Sequence, residues 1–251
     1  MRPRPSPDKG SPKAPPRRGL ARSLSRLGVC SRAQAERHVR DGRVAVNGRV
    51  VCDPERPVDV SRDRIALDGH EVRAAERIYL ALNKPRGYVT TAADERGRET
   101  VYALLEGAGL PWVAPVGRLD KASEGLLLVT NDSAWAARVT APESHVEKTY
   151  HVQIDRLPDA ARLAALHRGI DAGGERLAVK SVRELRRGGR NAWLEIVLDE
   201  GRNRQIRRLL DAFEVAVLRL VRVAIGPVTL GDLAKGRFRN LCAAEVRALA
   251  G

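Results

Sequence analysis

The sequence predicts an α+β protein: a large domain on a mixed, mainly antiparallel sheet, behind a small helix-helix-hairpin module. Three observations carry this. β-rich segments such as "IYLALNKP", "EGLLLVTND", "EKTYHVQID", "LAVKSVREL", "AWLEIVLDEG" and "LRLVRVAIGPVTL" recur beyond residue 76, with helical spacing between them in "SAWAARVTA", "DAARLAALHRGI" and "RNRQIRRLLDAF". Short turns such as Arg187-Gly188-Gly189-Arg190 suit antiparallel neighbours better than a doubly wound parallel sheet. Between Leu20 and about Val72 two short helical patterns lead into an Asn47-Gly48 turn flanked by alternating apolar residues, the signature of a tight hairpin.

These patterns divide the 251 residues into a disordered basic arm at 1–18, a small module at 19–75 and a large domain at 76–251. The arm, "MRPRPSPDKGSPKAPPRR", is rich in Pro, Ser and cations, and no apolar stretch follows it that would serve as a signal sequence. In the small module Leu20, Leu24 and Leu27 share one helical face and Gly28 closes the helix. Ser31 with Gln34 forms a capping box for a second helix whose inward stripe is Ala35 and Val39. Arg22, Arg26, Arg32, Arg37, Arg40 and Arg43 lie largely off that stripe, on a cationic, solvated face.

Charge narrows the partner. Lys and Arg number 45 against 31 Asp and Glu, a net +14, which attracts polyanions and makes nucleic acid the expected partner. Cys30, Cys52 and Cys242 stand far apart with no CxxC pair, so neither a disulfide framework nor a zinc site has support, and a reducing cytoplasmic setting is expected. Nothing approaches the ~18 apolar residues that span a bilayer, so no membrane partner is expected.

Three constellations in the large domain bear on chemistry. "LNKPRGYVTT" offers Lys84, Pro85 and Gly87 as a stiff turn with a cation near its tip, a solvated turn or an RNA contact. In "EGRNRQIRRLLDAF", Gly201 and Asn203 should start a helix with Ile206, Leu209, Leu210 and Phe213 on its apolar face. Arg204, Arg207 and Arg208 crowd its first turns, opposing the macrodipole by about 0.3–1 kcal/mol each, so an anion from protein or RNA should compensate. Third, "GRLDKASEGLLLVTND" sets Asp120 between Arg118 and Lys121, where two apolar segments meet. Asp120 either caps a turn and pairs with Arg118 at the surface, or sits in a buried junction where it needs a cation to stay ionised. Trp112, Trp135 and Trp193 have apolar neighbours and are assigned to the core, whereas His145 and His151 are expected at the surface or on RNA.

The helix-helix-hairpin order with "SRAQAERHVRDGRVAVNGRVV" resembles the alpha-L RNA-binding domain. Gly117, Arg118, Leu119, Asp120, Ser123, Gly125 and Leu126 resemble the catalytic motif of RNA pseudouridine synthases, of the ribosomal RNA branch with such a module in front (the RsuA/RluB type). "NKPRG", "EKTYHV" and "EGRNRQIRRL" are similar to that family's first motif, its tyrosine-bearing strand and its basic third motif. The resemblance implies isomerisation of a uridine in ribosomal RNA to pseudouridine, with no cofactor and no metal, by a cytoplasmic monomer. It makes Asp120 the catalytic carboxylate, acting at the sugar's anomeric centre or by addition to the sixth ring carbon, Tyr150 the residue stacking on the extruded base, Arg118 a helper holding the RNA open, and Arg207 the ion-pair partner of Asp120, with Arg202 as fallback. Arg22, Arg32, Arg37, Arg40, Arg43, Lys84, Arg202, Arg204 and Arg208 are the implied RNA contacts. "GRNRQIRRL" and "IGPVTLGDLAKGRFRNL" lean towards large-subunit 23S RNA. The alternative is a ribosome-assembly factor on the same scaffold whose catalysis is dispensable. A glycosidase-type reading lacks paired carboxylates, Glu124 being the nearest second acid, at a loop position.

Overall fold

The computed structural model describes residues 18–92, 96–171 and 174–250, so the expected basic arm, apart from Arg18, lies outside the described residues. The chain divides into two compact units between Ala74 and Ala75.

The first unit runs β1 (Arg18–Gly19), α1 (Leu20–Arg26), α2 (Arg32–Arg40), β2 (Val44–Val46), β3 (Arg49–Val50), β4 (Pro57–Val58), β5 (Ile65–Leu67) and β6 (His70–Glu71). Its small sheet has the order β3-β2-β5-β6, and β1 pairs with β4. Leu20, Leu24, Ala35 and Val39 are fully buried against Val44 and Ile65. Ser31 and Gln34 form the expected reciprocal cap on α2. Asn47 and Gly48 both take positive φ, 52° and 78°, as a twisted two-residue hairpin turn requires.

The second unit begins with β7 (Tyr79–Lys84), β8 (Ala114–Val116) and β9 (Glu124–Thr130), followed by α3 (Ser133–Thr140), β10 (Lys148–Ile154) and α4 (Ala160–Arg168). It continues with β11 (Ile170–Asp171), β12 (Arg176–Leu177), β13 (Ser181–Arg187), β14 (Ala192–Leu198) and α5 (Gln205–Asp211), and ends with β15 (Val217–Ile225), β16 (Val228–Thr229), β17 (Phe238–Asn240) and α6 (Ala243–Ala250). The nine-stranded sheet has the order β13-β14-β10-β15-β9-β7-β17, with β8 on β9 and β16 on β15. The pair β9/β15 is parallel and the others are antiparallel, so the sheet is mixed and mainly antiparallel, as expected.

Two halves of this sheet differ in burial. β9 is buried on both faces: Leu126 and Leu128 pack towards Trp135 and Val139 of α3, while Leu127 and Val129 meet Leu80, Leu82 and Val101. This is why "LLLV" is an unbroken apolar run. β10 and β14 alternate instead, with Val152, Ile154, Leu194 and Ile196 packed in one core with residues of α4 and α5, and Thr149, His151, Gln153 and Glu195 half-buried between them. Trp193 therefore departs from its core assignment: it is half-buried, with the guanidinium carbons of Arg186 and Arg219 5.0 and 5.6 Å from its ring centre. Trp135 is core, and Trp112 stacks on Tyr102 at 5.0 Å.

Candidate active site

The loop between β8 and β9, residues 117–123, carries Asp120. Its backbone is held at every carbonyl from Arg118 to Ser123. These accept, in order, from the Arg222 guanidinium (3.4 Å), the Thr90 hydroxyl (2.7 Å), the Lys84 ammonium (3.1 Å), the Gly87 amide (2.8 Å), the Arg207 guanidinium (3.2 Å) and Lys84 again (2.8 Å). The Ser123 amide closes the turn onto the Asp120 carbonyl at 3.0 Å. At the loop's exit, Gly125 has φ of 103° and lies against β15, where a Cβ would stand 2.3 Å from the Arg222 carbonyl oxygen. Only glycine permits that approach.

Lys84 is thus corrected from an RNA contact to an internal clamp. It is fully buried, with its three N–H groups directed at the carbonyls of Pro85, Asp120 and Ser123. Burial pushes its pKa down to about 8, against the support of Asp120 and Glu124 and with the repulsion of Arg222. The exposed cation at the tip of "NKPRG" is Arg86.

The Asp120 carboxylate faces a cleft of about 620 Å³ lined also by Arg118, Tyr150, Leu198, Arg204 and Arg207. Its side chain is 39% exposed, so it is less shielded than the sequence suggested, and its ion pair is with Arg204 at 3.6 Å. The expected pairing with Arg207 is corrected by the start of α5. The helix begins at Gln205 rather than after Gly201, and Arg204 precedes it in the left-handed conformation, φ 48°, which places its guanidinium beside Asp120. Arg207 instead donates to the carbonyls of Ala122 and Val217, and its buried Nε has no partner. Burial lowers the Arg207 pKa, and the neighbouring Arg204 charge adds to this, while Asp120 opposes it.

The compensating anions expected for the basic turn are protein carboxylates. Arg204 has Asp120, while Arg202 and Arg208 share Glu175 at 3.2 and 2.6 Å, and Arg202 also meets Glu200 at 2.7 Å. Arg202 is therefore turned to Glu175 and Glu200 and is not the partner of Asp120. Gln205, which sequence reasoning passed over, is buried and ties the turn together by donating to Glu200 and to the Ala178 carbonyl. Glu124 is also corrected. It opens β9, buried, with Arg219 and Lys235 each at 2.7 Å.

Tyr150 lies on β10 with its ring largely buried in the core at the cleft. Arg118 is exposed at the mouth. Besides Gln205, two cations of the cleft escaped the sequence reading, Lys148 and Arg222. Lys148 had a signal, since period-two spacing places it on the same strand face as Tyr150. In the first unit Arg22 and Arg37 are exposed, whereas Arg32 pairs with Glu36 and Glu55, Arg40 with Glu36, and Arg43 with Asp68. His151 sits 3.4 Å from Glu195, away from the cleft lining. No described helix is long and apolar enough to cross a membrane.

A small basic helix-hairpin unit followed by a mixed-sheet domain, with a cleft lined by Asp120 and several arginines, fits the class of RNA-acting proteins. A family model described as RNA pseudouridylate synthase matches residues 78–212, and one described as the S4 domain matches residues 18–74. The chain belongs to the RNA pseudouridine synthase family. It is 38% identical over 228 residues to an uncharacterized RNA pseudouridine synthase of Aquifex aeolicus, covering 90% of this chain and 91% of that protein. To ribosomal large subunit pseudouridine synthase B of Bacillus subtilis it is 34% identical over 233 residues, covering 92% and 94%. A solved pseudouridylate synthase crystal structure superposes with a TM-score of 0.63 at 31% identity, covering 92% of this chain and 99% of that one.

Proposed function

We propose that this enzyme isomerises one uridine of large-subunit ribosomal RNA to pseudouridine, with the Asp120 carboxylate as its nucleophile. The observation that carries the reading is the braced Asp120 loop opening into a cleft of about 620 Å³, large enough for a nucleoside turned out of its helix. The large-subunit assignment is supported by the Bacillus subtilis relative and by ribosomal large subunit pseudouridine synthase B of Salmonella typhimurium, 36% identical over 239 residues and covering 92% and 82% of the two chains.

The reaction needs the C1′–N1 bond broken, the base turned and a C1′–C5 bond made, with the C5 proton replaced by one on N1. Neither water nor electrons enter the balance. Asp120 meets the developing positive charge at the sugar, and its fixed backbone supplies the near-attack geometry without reorganisation. Arg204 pairs with this carboxylate at 3.6 Å, and the Arg207 guanidinium adds positive charge to the same cleft. Tyr150 presents an aromatic surface to the extruded base, a contact worth about 1–3 kcal/mol, against an unstacking cost of a few kcal/mol. Exposed Arg22 and Arg37 of the first unit, with Arg118 at the cleft mouth, are the most available phosphate contacts.

Asp120→Asn keeps the size of the side chain. Incubated with unmodified ribosomal RNA, it should lose isomerisation by ~10³-fold or more while its affinity for that RNA changes little. Wild-type turnover by the variant would remove the nucleophile assignment. Mapping pseudouridine in ribosomal RNA from cells lacking the protein identifies the site, and a change confined to the small subunit would overturn the large-subunit assignment.

A further inference from the structure

Lys148 and Arg222 stand together at the cleft beside Tyr150; beyond the part Arg222 plays in bracing the Asp120 loop, no role assigned so far uses them. Arg222 is 6% exposed and lies opposite Tyr150 in the β10/β15 register. Its Nε donates to the Leu126 carbonyl at 2.7 Å and its Nη1 to the Arg118 carbonyl at 3.4 Å, and its buried Nη2 has no partner. Lys148, paired through its strand with β14 and β15, lines the same cleft from two residues before Tyr150, and its side chain has no hydrogen bond or ion pair among the described residues. Burial lowers its pKa, the Arg222 charge adds to the effect, and Asp199 opposes it. Two cations held close in a poorly solvated recess are unfavourable unless an anion arrives to sit between them.

We propose that Lys148 and Arg222 are catalytic residues that receive the negative charge of the departing uracil. This rests on the proposed role of Asp120. When the C1′–N1 bond breaks, its electron pair leaves with the base, giving a uracil monoanion delocalised over N1 and the two carbonyl oxygens, while the Asp120 carboxylate meets C1′. The anion stays in the recess, turns, and attacks C1′ from C5, breaking the bond between C1′ and Asp120 and releasing its carboxylate. Loss of the C5 proton and protonation of N1 then complete the isomerisation. A preorganised ammonium and a free guanidinium N–H stabilise that anion where its charge develops. A backbone phosphate is the weaker candidate occupant. It is bulky and strongly hydrated and is suited to the exposed Arg118 and Arg204 at the mouth, whereas a nearly enclosed guanidinium reaches only a group that enters the cleft completely.

Arg222 also braces the Asp120 loop, so Lys148→Met is the primary variant and Lys148→Arg its control. Single-turnover rates at saturating RNA are measured on two transcripts of large-subunit ribosomal RNA, one with uridine and one with 5-fluorouridine, whose ring anion is more stable. Consumption of the nucleoside is read by digestion and mass spectrometry. Lys148→Met should be slowed ~10²-fold on the uridine transcript, with RNA affinity nearly unchanged, and slowed clearly less on the 5-fluorouridine transcript. Lys148→Arg should recover most of the rate. Equal losses on both transcripts, or no recovery by Arg, overturn the proposal. An unchanged rate with weaker binding and a salt dependence reduced by about one charge assigns the pair to a phosphate instead, and also overturns it. Wild-type enzyme without turnover on this RNA sinks the functional reading, and this inference with it, whereas wild-type turnover matched by Lys148→Met sinks this inference alone.

Discussion

Two neighbouring segments of the cleft place charge by different means. In the Asp120 loop each successive carbonyl from Arg118 to Ser123 accepts a hydrogen bond, much of it from side chains that are themselves largely enclosed, Lys84 and Arg222 among them. In the turn before α5 and its first residues, Arg202, Arg204 and Arg208 are arranged by ion pairs between side chains that remain a third to a half exposed. Buried, multiply bonded groups fix a backbone because each lost partner strands a desolvated acceptor. Exposed ion pairs contribute only about 0–1 kcal/mol each and exchange readily with solvent or phosphate. The Asp120 carboxylate, the proposed nucleophile, therefore rides on a braced frame, while its partner Arg204 sits in a half-exposed pair that exchanges readily with phosphate.

The severest way to break the frame is at its exit. Gly125→Ala places a methyl group 2.3 Å from the Arg222 carbonyl oxygen at a φ of 103°, and relief requires separating β9 from β15. We expect no cooperatively folded second unit on thermal melting, and a wild-type melt would show that the parallel contact is looser than described.

Lys84→Met comes next. It removes an ammonium bonded to three carbonyls, and the stranded acceptors should cost about 1–3 kcal/mol each, offset in part by no longer burying a charge. A lowered Tm with a fall in kcat larger than the change in KM is expected. An unchanged kcat would separate loop order from catalysis.

The same residue sets a pH dependence. With its folded pKa near 8 and an unfolded value of about 10.4, the unfolded chain binds the extra proton between these limits. This site's contribution to stability therefore rises with pH across that window. The neutral amine has two N–H groups for three carbonyls, so the rate should fall through the same window as the loop loosens. Lys84→Met should lack that limb, and a limb kept intact in the variant would assign it elsewhere.

The smallest effect belongs to the turn. Arg204→Gln should leave Tm unchanged, as expected for a half-exposed pair, and lower the salt dependence of RNA binding by about one charge. A rate loss as large as that of Lys84→Met would erase the distinction between frame and turn.

The sheet was largely legible in sequence because β7, β9, β10, β14 and β15 are long and patterned by burial. β8 and β17 are three residues each and too short to show a period, and α6, rich in alanine, has no marked apolar stripe. Asp120 and Tyr150 stood out through motif spacing. Lys84 did not, because a lysine after an apolar strand reads as solvated, and its burial is offset by carbonyls and carboxylates that tertiary structure brings to it, from the Asp120 loop, Pro85 and Glu124. The exchange of Arg207 for Arg204 beside Asp120 turns on one left-handed residue, a backbone choice that spacing does not encode.

The measurement that addresses the central claim most directly is a crystal structure of the Asp120→Asn enzyme bound to an RNA fragment carrying the target uridine. The account predicts that nucleoside turned out of its helix, its ring against Tyr150, its C1′ facing residue 120, and the loop carbonyls of residues 118–123 bonded as in the free protein. A target uridine still stacked within its helix, or bound away from the cleft, would contradict it.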